Sequence, residues 1–417
     1  MKRILLTAAL AALMWPAAAR VDLGRYVVVY PASAEAEEGL DVAEAVVAAV
    51  GLDLPVVSDE TPATAREILV GKTNRKESAA FYAAGPDTFD WALSRKGNKV
   101  LVSGGGCWAL MRSVQELAGG VPAKPVRGNI YGECIFPREE GSNLRILDDN
   151  IWDYGKPANA PAWEGTGFDC RDEVRVRALL EVVWATRPDV VTLQEYSSHM
   201  DPLFRPAMEE AGYRMAYMPG EIWNHTPIYY HPGAVTLVET RYHRYEPMAW
   251  SNHGSKSYNW AHFTHRATGR DFLVINTHLW WKSEKTCPGS DAARAAQVRK
   301  MMTEADDFVF TSGGPVFMTG DMNCRLSSPA MQQLLTAGYV PVWQAATVFG
   351  DLRNGHHFCF AEGFSRADNG INDGTGSIDQ FFLYNPGGTE VKTFHRLYAW
   401  FLVPVTDHYP NYTDIRL

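Results

Sequence analysis

The sequence predicts a two-domain protein of the α/β class, with a small N-terminal α+β domain ahead of a larger domain. Its 417 residues are enough to bury two cores. Residues 121–143 are rich in proline, glycine and charge, which is typical of a linker. From Leu144 onward strands and helices alternate, as in the helix Asp172–Thr186 followed by the buried strand Val190–Leu193. The predicted boundaries are residues 20–125 for the small domain, 126–143 for the linker and 144–417 for the α/β domain.

The small domain is predicted from short apolar runs and two helices. The predicted strands are 26–30, 54–57, 67–70, 89–94 and 99–103, and the predicted helices are 35–50 and 107–118. Gly97-Asn98 predicts a hairpin turn between the last two strands. The glycines 104–106 before the second helix indicate a tight turn with close helix–sheet packing. A phosphate-binding P-loop is disfavoured because no Gly-Lys-Ser/Thr follows them.

The N-terminus predicts export from the cytoplasm. Lys2 and Arg3 precede the apolar run Ile4–Trp15, and a short alanine-rich stretch ends at Ala19, which together are typical of a signal peptide. The apolar run is shorter than the roughly 20 residues that span a bilayer. We therefore expect cleavage near Ala19 and a secreted or periplasmic protein without a transmembrane anchor.

Composition and cysteine usage narrow the functional classes. The formal net charge is −9, and removing Lys2 and Arg3 leaves 37 basic against 48 acidic residues, or −11. This acidity disfavours non-specific binding to duplex nucleic acid, which depends on lysine and arginine. The six cysteines leave disulfide pairing open, and their lack of C-x-x-C spacing disfavours a cysteine-based zinc or redox site.

Short polar motifs at the ends of apolar runs are the strongest functional signal. They are Asn150, Gln194-Glu195, Asn276-Thr277-His278, Gly320-Asp321-Met322-Asn323, Ile378-Asp379 and Thr406-Asp407-His408, with Tyr230 as a further candidate. A strand that ends in a carboxylate, amide or imidazole is typical of a site assembled at the rim of a sheet. Oxygen ligands with two histidines, and no zinc-type spacing, indicate Mg²⁺-assisted chemistry on phosphate.

Taken in this order, the motifs resemble the endonuclease/exonuclease/phosphatase superfamily over roughly Leu144–Leu417. The resemblance implies a four-layered sandwich of two mixed β-sheets flanked by helices, with the site at one end. It implies a metal-dependent phosphoric ester hydrolase that uses Mg²⁺, with Mn²⁺ as the alternative. The small domain loosely resembles the accessory domain found ahead of catalytic domains in some secreted glycoside hydrolases, through Glu67–Gly71, Val100–Gly106 and the helix from Trp108. That likeness implies a contact with glycan.

The superfamily resemblance also assigns roles to individual residues. The implied metal ligands are Asn150, Glu195 and Asp407, and the implied catalytic residues are His278, Asp321, Asn323, Asp379 and His408. In these roles His278 contacts the scissile phosphate, Asp321 with Asn323 aligns the attacking water, and Asp379 orients His408. Thr406 stands where the motif usually has serine, so the hydroxyl is kept. The candidate substrate contacts are Tyr230, for which packing is an equally good explanation, Lys256 and Lys282, with Arg294 nearby.

Three functions remain open from the sequence. The first is a secreted Mg²⁺-dependent phosphodiesterase acting on nucleic acid or a similar diester. The second removes or cleaves the phosphate of a phospholipid or sugar phosphate, which the acidic charge and the small domain favour slightly. The third is a catalytically silent glycan-binding protein, against which the intact acidic and histidine motifs argue. The aromatic residues of Trp250–Trp260 and Trp280-Trp281 could stack on bases or sugars, approach lipid, or belong to the core.

Overall fold

The structure is a computed structural model that describes residues 21–32, 36–152, 171–217, 220, 223–246, 256–349, 377–397 and 406–417. The predicted signal peptide, with Cys170 and Cys359, lies outside these ranges. Cys287 and Cys324 carry free thiols. No helix in the described ranges is long and apolar enough to cross a bilayer. The chain forms two compact units, and among the described residues the first ends at Ile135 and the second begins at Phe136.

The first unit is a six-stranded sheet with three described helices. Its strands are β1 (Val27–Tyr30), β2 (Val56–Ser58), β3 (Glu67–Val70), β4 (Asp90–Lys96), β5 (Lys99–Gly104) and β6 (Val126–Asn129), and its helices are α1 (Ala36–Val50), α2 (Lys76–Ala83) and α3 (Cys107–Ala118). The strand order is β2-β1-β3-β5-β4-β6. Helix α2 is absent from the sequence prediction.

Glycines control close packing in this unit. The predicted turn at Gly97-Asn98 is confirmed, because β4 and β5 pair as an antiparallel hairpin around it and Gly97 has φ +61°. A Cβ on Gly104 would lie 2.2 Å from the backbone nitrogen of Leu110 in α3, which confirms the interpretation as close helix–sheet packing. Strand β6 starts where the linker was predicted. There Gly128 lies against the Trp91 ring, so the missing side chain lets β6 pair with β4.

The second unit contains two mixed sheets. Its strands are β7 (Leu144–Asn150), β8 (Val190–Gln194), β9 (Arg214–Met215), β10 (Ile228–Tyr230), β11 (Val235–Arg244), β12 (Ser257–His265), β13 (Asp271–His278), β14 (Val316–Asp321), β15 (Val340–Pro341), β16 (Val348–Phe349), β17 (Asp379–Tyr384), β18 (Glu390–Arg396) and β19 (Asn411–Arg416). The helices are α4 (Asp172–Thr186), α5 (Asp201–Glu210), α6 (Ser290–Ser312), α7 (Pro329–Thr336) and α8 (Val342–Ala345). The seven-stranded sheet has the order β16-β18-β19-β7-β8-β10-β9, and the six-stranded sheet has the order β11-β12-β13-β14-β17-β15.

The two sheets pack face to face. One buried cluster joins Ile146 and Ile228 of the seven-stranded sheet to Val274, Phe317 and Phe381 of the six-stranded sheet. Successive side chains of a strand point to opposite faces, so the neighbouring residues of these strands face outward. The central strands are apolar on both faces because both faces are buried.

Helices cover the outer faces. On the six-stranded sheet, Ile275 and Met318 pack with Met301 of α6 and with Met331 and Leu334 of α7. On the seven-stranded sheet, the Tyr229 ring of β10 meets the Phe204 ring of α5, with centroids 6.0 Å apart. The layers are therefore helix, sheet, sheet and helix, and the predicted four-layered sandwich of mixed sheets is confirmed.

Strand register brings distant residues to one rim of the sandwich. In the six-stranded sheet His278 of β13 pairs with Asp321 of β14, and Asp321 pairs with Asp379 of β17. In the seven-stranded sheet Asn150, the last residue of β7, pairs with Gln194, the last residue of β8. The residues of the predicted motifs thus meet at strand ends, although some are more than 100 positions apart.

Candidate active site

Asp321 lies at the centre of a buried polar cluster. Its Oδ2 accepts a hydrogen bond from Asn150 Nδ2 at 3.1 Å and lies 3.3 Å from His278 Nε2. His408 Nε2 lies 4.0 Å from the same oxygen and 3.3 Å from Asn150 Nδ2. His408 Nδ1 contacts Asp379 Oδ2 at 2.9 Å. Two imidazoles therefore face one carboxylate, and each comes from a different strand end or loop.

Unusual backbone conformations aim these side chains. Gly320 has φ +133°, and a Cβ there would lie 2.0 Å from the carbonyl oxygen of Thr277. Only glycine allows β14 to approach β13 this closely at the residue before Asp321. Glu195 and Asn323 have left-handed φ values of +57° and +48°. Such strain in non-glycine residues is typical of functional sites.

Charges in the cluster shift one another's pKa. Burial alone would raise the pKa of Asp321, but the charges of His278, His408 and Lys256 hold it well below its usual range. Burial alone would lower the pKa of His408, but the carboxylates of Asp379 and Asp407 outweigh it and hold that pKa well above the usual value. The cluster therefore favours a carboxylate at Asp321 beside an imidazolium at His408.

The acidic groups at this rim fit a divalent cation. Asp407 Oδ1 is buried without a hydrogen-bond partner among the described residues. Burial, and then the negative charge of Glu195, raises the pKa of Asp407 to about 7. Ligand atoms of Glu195, His278 and Asp321 all lie within 4.8 Å of one another. Asp407 Oδ1 lies 3.6 Å from His408 Nε2 without a hydrogen bond to it, and a divalent metal ion would supply further positive charge to these carboxylates.

A sequence-family model decides the class of protein. The model described as "Endonuclease/Exonuclease/phosphatase family" matches residues 166–408, more than half of the chain. The chain belongs to the endonuclease/exonuclease/phosphatase family. Members of this family are metal-dependent phosphoester hydrolases, and this protein is an enzyme of that class.

Solved structures of the endonuclease/exonuclease/phosphatase family are similar to this chain at low sequence identity. A family protein from Bacteroides thetaiotaomicron is 17% identical with a TM-score of 0.50, covering 65% of this chain and 97% of that one. A mannosyl-6-phosphatase from the same organism is 16% identical with a TM-score of 0.49, covering 65% of this chain and 99% of that one. The catalytic domain of human Nocturnin is 15% identical with a TM-score of 0.48, covering 67% of this chain and 96% of that one. Comparison with curated proteins finds no match. The likeness of the first unit to accessory domains of glycoside hydrolases stays a prediction.

The structure brings the motif residues of the endonuclease/exonuclease/phosphatase family together and fixes the orientation of the Asn150 amide. Asn150 Oδ1 accepts a hydrogen bond from the backbone of Trp152 at 3.0 Å, while its Nδ2 faces Asp321 and His408. The oxygen is therefore turned away from the acidic cluster in this structure, and the metal-ligand role of Asn150 stays a prediction. Thr406 Oγ1 donates to Asn150 O at 2.6 Å, so the hydroxyl at this motif position is used.

Tyr230 and Arg294 lie outside the polar cluster, and their contacts hold the fold together. Tyr230 pairs with Val190, at the opposite end of β8 from Gln194. Four residues of strand separate the two ends by about 13 Å, and the Tyr230 ring packs on Phe263 in the inter-sheet core. Tyr230 therefore lies outside the polar cluster, and its surroundings match the packing alternative. Arg294 is buried, and its Nη1 donates to two backbone carbonyls of the segment after β13.

The two lysine candidates differ in their environment. Lys256 Nζ contacts His278 Nε2 directly and interacts with the charges of Glu195 and Asp321. Burial lowers the pKa of Lys256 more than these two carboxylates raise it. Lys282 Nζ instead lies over the ring of Trp281, 5.3 Å from its centroid. Only Lys256 enters the polar cluster.

A buried polar network lies behind the cluster, and two of its members, Asp148 and Thr192, were not singled out from the sequence. Asp148 Oδ1 accepts hydrogen bonds from Thr192 Oγ1 at 2.7 Å and from Gln194 Nε2 at 2.8 Å. Gln194 Nε2 also donates to Asn276 Oδ1 at 2.7 Å, which links the two sheets. The only sequence signal was the polar end of two apolar strands. The network fixes the strand ends that carry Asn150 and Glu195.

Proposed function

We propose that this protein is an exported Mg²⁺-dependent phosphoesterase that hydrolyses a phosphodiester by attack of water. The observation that carries the proposal is the arrangement of His278 and His408 around Asp321, beside the buried Asp407 oxygen that accepts no hydrogen bond from the described residues. Positive groups on two sides of one small space suit an anionic phosphoryl group. The proposal of export rests on the N-terminal sequence.

Glu195 and Asp407 would hold the metal ion, because hard divalent cations prefer carboxylate oxygens. When bound, Mg²⁺ supplies positive charge that offsets the negative charge developing on the phosphoryl and leaving oxygens. The amide of Asn150 would donate to a phosphoryl oxygen with the Nδ2 that now faces Asp321. Lys256 would offer a second donor next to His278.

Asp321 would orient and deprotonate the attacking water. One of its oxygens accepts from the backbone nitrogen of Asn323 at 2.8 Å, which fixes the plane of the carboxylate. The low pKa of Asp321 keeps it ionised and able to accept a hydrogen bond from water. Asn323 Nδ2 donates to Leu279 O at 3.0 Å, so the motif also ties the segment after His278 to the site.

His408 would stabilise the transition state or protonate the leaving alcohol. Asp379 accepts a hydrogen bond from Nδ1, which leaves Nε2 facing Asp321 and Asn150. A carboxylate behind an imidazole fixes its tautomer and favours its charged form. His278 would contact a phosphoryl oxygen from the other side of Asp321.

A test is turnover by the purified protein in Mg²⁺, with bis-p-nitrophenyl phosphate, plasmid DNA, sphingomyelin and a sugar phosphate as probes. We expect hydrolysis of at least the diester probe, loss of activity in EDTA and its return with added Mg²⁺. Unchanged activity in EDTA, or no turnover of any probe, would contradict the proposal.

A phosphatase or phospholipase C-type activity on a sugar phosphate or phospholipid is the second candidate. Lys256 adds a third basic side chain to the two histidines, which suits the double negative charge of a phosphate monoester. The formal charge of −9 disfavours long nucleic-acid substrates. In the same assay, turnover of the sugar phosphate or of sphingomyelin, but not of bis-p-nitrophenyl phosphate or DNA, would favour this candidate.

A further inference from the structure

We propose that Trp281 and Lys282 form a subsite that binds a ring in the alcohol portion of the phosphate ester. Nucleobases and sugars both present a ring with an apolar face. The inference rests on the proposed function, and it adds the class of group that the substrate carries beside its phosphate.

The two tryptophans that follow β13 have opposite environments. Trp280 is 2% exposed, and its Nε1 donates to Ser290 Oγ at 3.0 Å. Trp281 is 56% exposed, whereas the other tryptophans within the described ranges are buried or half-buried. A large apolar ring that remains in water beside a polar site is an available binding surface.

The segment that carries Trp281 is attached directly to the catalytic strand ends. Leu279 N donates to the backbone oxygen of Asp321 at 2.9 Å. Leu279 O accepts from the side chain of Asn323 at 3.0 Å. Any shift of this segment would therefore disturb Asp321 and Asn323, so the position of Trp281 is coupled to the geometry of the site.

Helix α6 fixes the other side of the segment. The guanidinium of Arg294 donates to Trp280 O at 2.9 Å and to Lys282 O at 2.7 Å. Gln297 accepts from Trp280 N at 3.0 Å. The backbone on both sides of Trp281 is thus held before any ligand binds, and a ring presented by a fixed backbone binds with a smaller loss of conformational entropy.

The distance to the reacting phosphate is short enough for one substrate to meet both groups. Trp281 follows His278 by three residues, which span at most about 11 Å even when fully extended. Lys282 Nζ lies over the Trp281 ring and also 6.0 Å from the centroid of Trp280. The subsite therefore offers a ring surface with a positive charge, within about 11 Å of His278 along the chain.

The test measures binding separately from turnover. In the full chain carrying Asp321→Asn, with Mg²⁺ present, calorimetry gives the Kd of adenosine monophosphate, glucose 6-phosphate and glycerol 3-phosphate, which has no ring. We expect Trp281→Ala to raise the Kd of a ring-bearing probe about five-fold or more, since stacking on an aromatic side chain has this strength, and to leave glycerol 3-phosphate unchanged. Trp281→Phe should retain most of the affinity. A loss for adenosine monophosphate alone indicates a base, and a loss that includes glucose 6-phosphate indicates a sugar.

Phe310→Ala is the matched control. Phe310 is 92% exposed near the end of α6, whose chain continues into the start of β14, at the opposite end of that strand from Asp321. Equal effects of Trp281→Ala on all three probes, or no effect on any, would overturn the subsite. Turnover of bis-p-nitrophenyl phosphate by the wild-type protein tests the proposed function on its own, so the two failures are distinguishable.

Discussion

Asp321 illustrates how a single carboxylate depends on its neighbours. It is 2% exposed, a degree of burial that would ordinarily favour the neutral acid. The two imidazoles and the Lys256 ammonium reverse that preference and lower its pKa. Because its charge depends on this cluster, Asp321 is the residue at which loss of charge should matter most.

We predict that Asp321→Asn lowers kcat by at least about 100-fold, the scale seen when a single transition-state contact is removed. The amide keeps the shape but cannot accept a proton from water. Circular dichroism should show the same fold. Asp271→Asn, at the other end of β13 from His278, is the matched control and should keep normal kcat. Near-normal turnover by Asp321→Asn would remove it from the mechanism.

The pair of Asp379 and His408 predicts a change in pH dependence. The Asp379 carboxylate is the first of the charges that raise the pKa of His408. In Asp379→Asn that charge is gone, so the pKa of His408 falls and the imidazolium is lost at lower pH. If activity needs the imidazolium, the alkaline limb of the pH–rate profile should move to lower pH. A profile that only drops in height would argue for a purely structural role.

At the scale of elements, β14 depends on a glycine. Gly320→Ala places a Cβ against the carbonyl oxygen of Thr277 in β13 and forces an unfavourable φ. We predict a loss of at least about 2 kcal/mol in the free energy of unfolding, with activity impaired as β13 and β14 separate. Gly338 also has a positive φ, +92°, but no atom lies within 4 Å of a Cβ placed there. Gly338→Ala therefore measures the backbone strain without the steric clash. Equal losses in the two variants would contradict the account.

Strand β18 contains a half-buried histidine that predicts acid sensitivity. The His395 ring stacks on Tyr412 with centroids 4.8 Å apart, and burial lowers the pKa of His395 to about 4. The folded state therefore resists protonation, while the unfolded chain takes up a proton near pH 6.5. This histidine's contribution to stability is complete above about pH 6.5 and is lost as the pH falls toward 4.

We therefore predict that His395→Phe keeps the stacking on Tyr412. Between pH 7 and pH 4.5 the free energy of unfolding of this variant should fall less than that of the wild-type protein. Urea unfolding at a series of pH values measures the difference. Parallel curves for the two proteins over this range would show that His395 stays neutral, or charges equally, in both states.

At the scale of the whole molecule, the two sheets bring carboxylates from distant parts of the chain together. Glu195 follows β8 of the seven-stranded sheet, and Asp321 ends β14 of the six-stranded sheet. Burial and the negative charge of Glu195 raise the pKa of Asp407 to about 7, so repulsion of its charged form opposes closure of the sandwich at this rim. A cation bound between them would offset the repulsion.

We predict that Mg²⁺ raises the Tm of the wild-type protein in a concentration-dependent way, because a ligand that binds only the folded state stabilises it. Asp407→Asn should raise the Tm measured in EDTA and reduce the further increase caused by Mg²⁺. Differential scanning calorimetry in EDTA and in Mg²⁺ provides the measurement. A full Mg²⁺ response in Asp407→Asn would exclude this carboxylate as a ligand.

The sequence by itself determined the alternation of strands and helices, the family and the polar residues at strand ends, because these are local patterns along the chain. Only the tertiary structure decided which of them meet. Strand register joined His278, Asp321 and Asp379, and it placed Tyr230 at the far end of β8. Side-chain packing turned the Asn150 amide and exposed Trp281 while burying Trp280. These outcomes depend on pairings between residues far apart in the chain, which no short segment encodes.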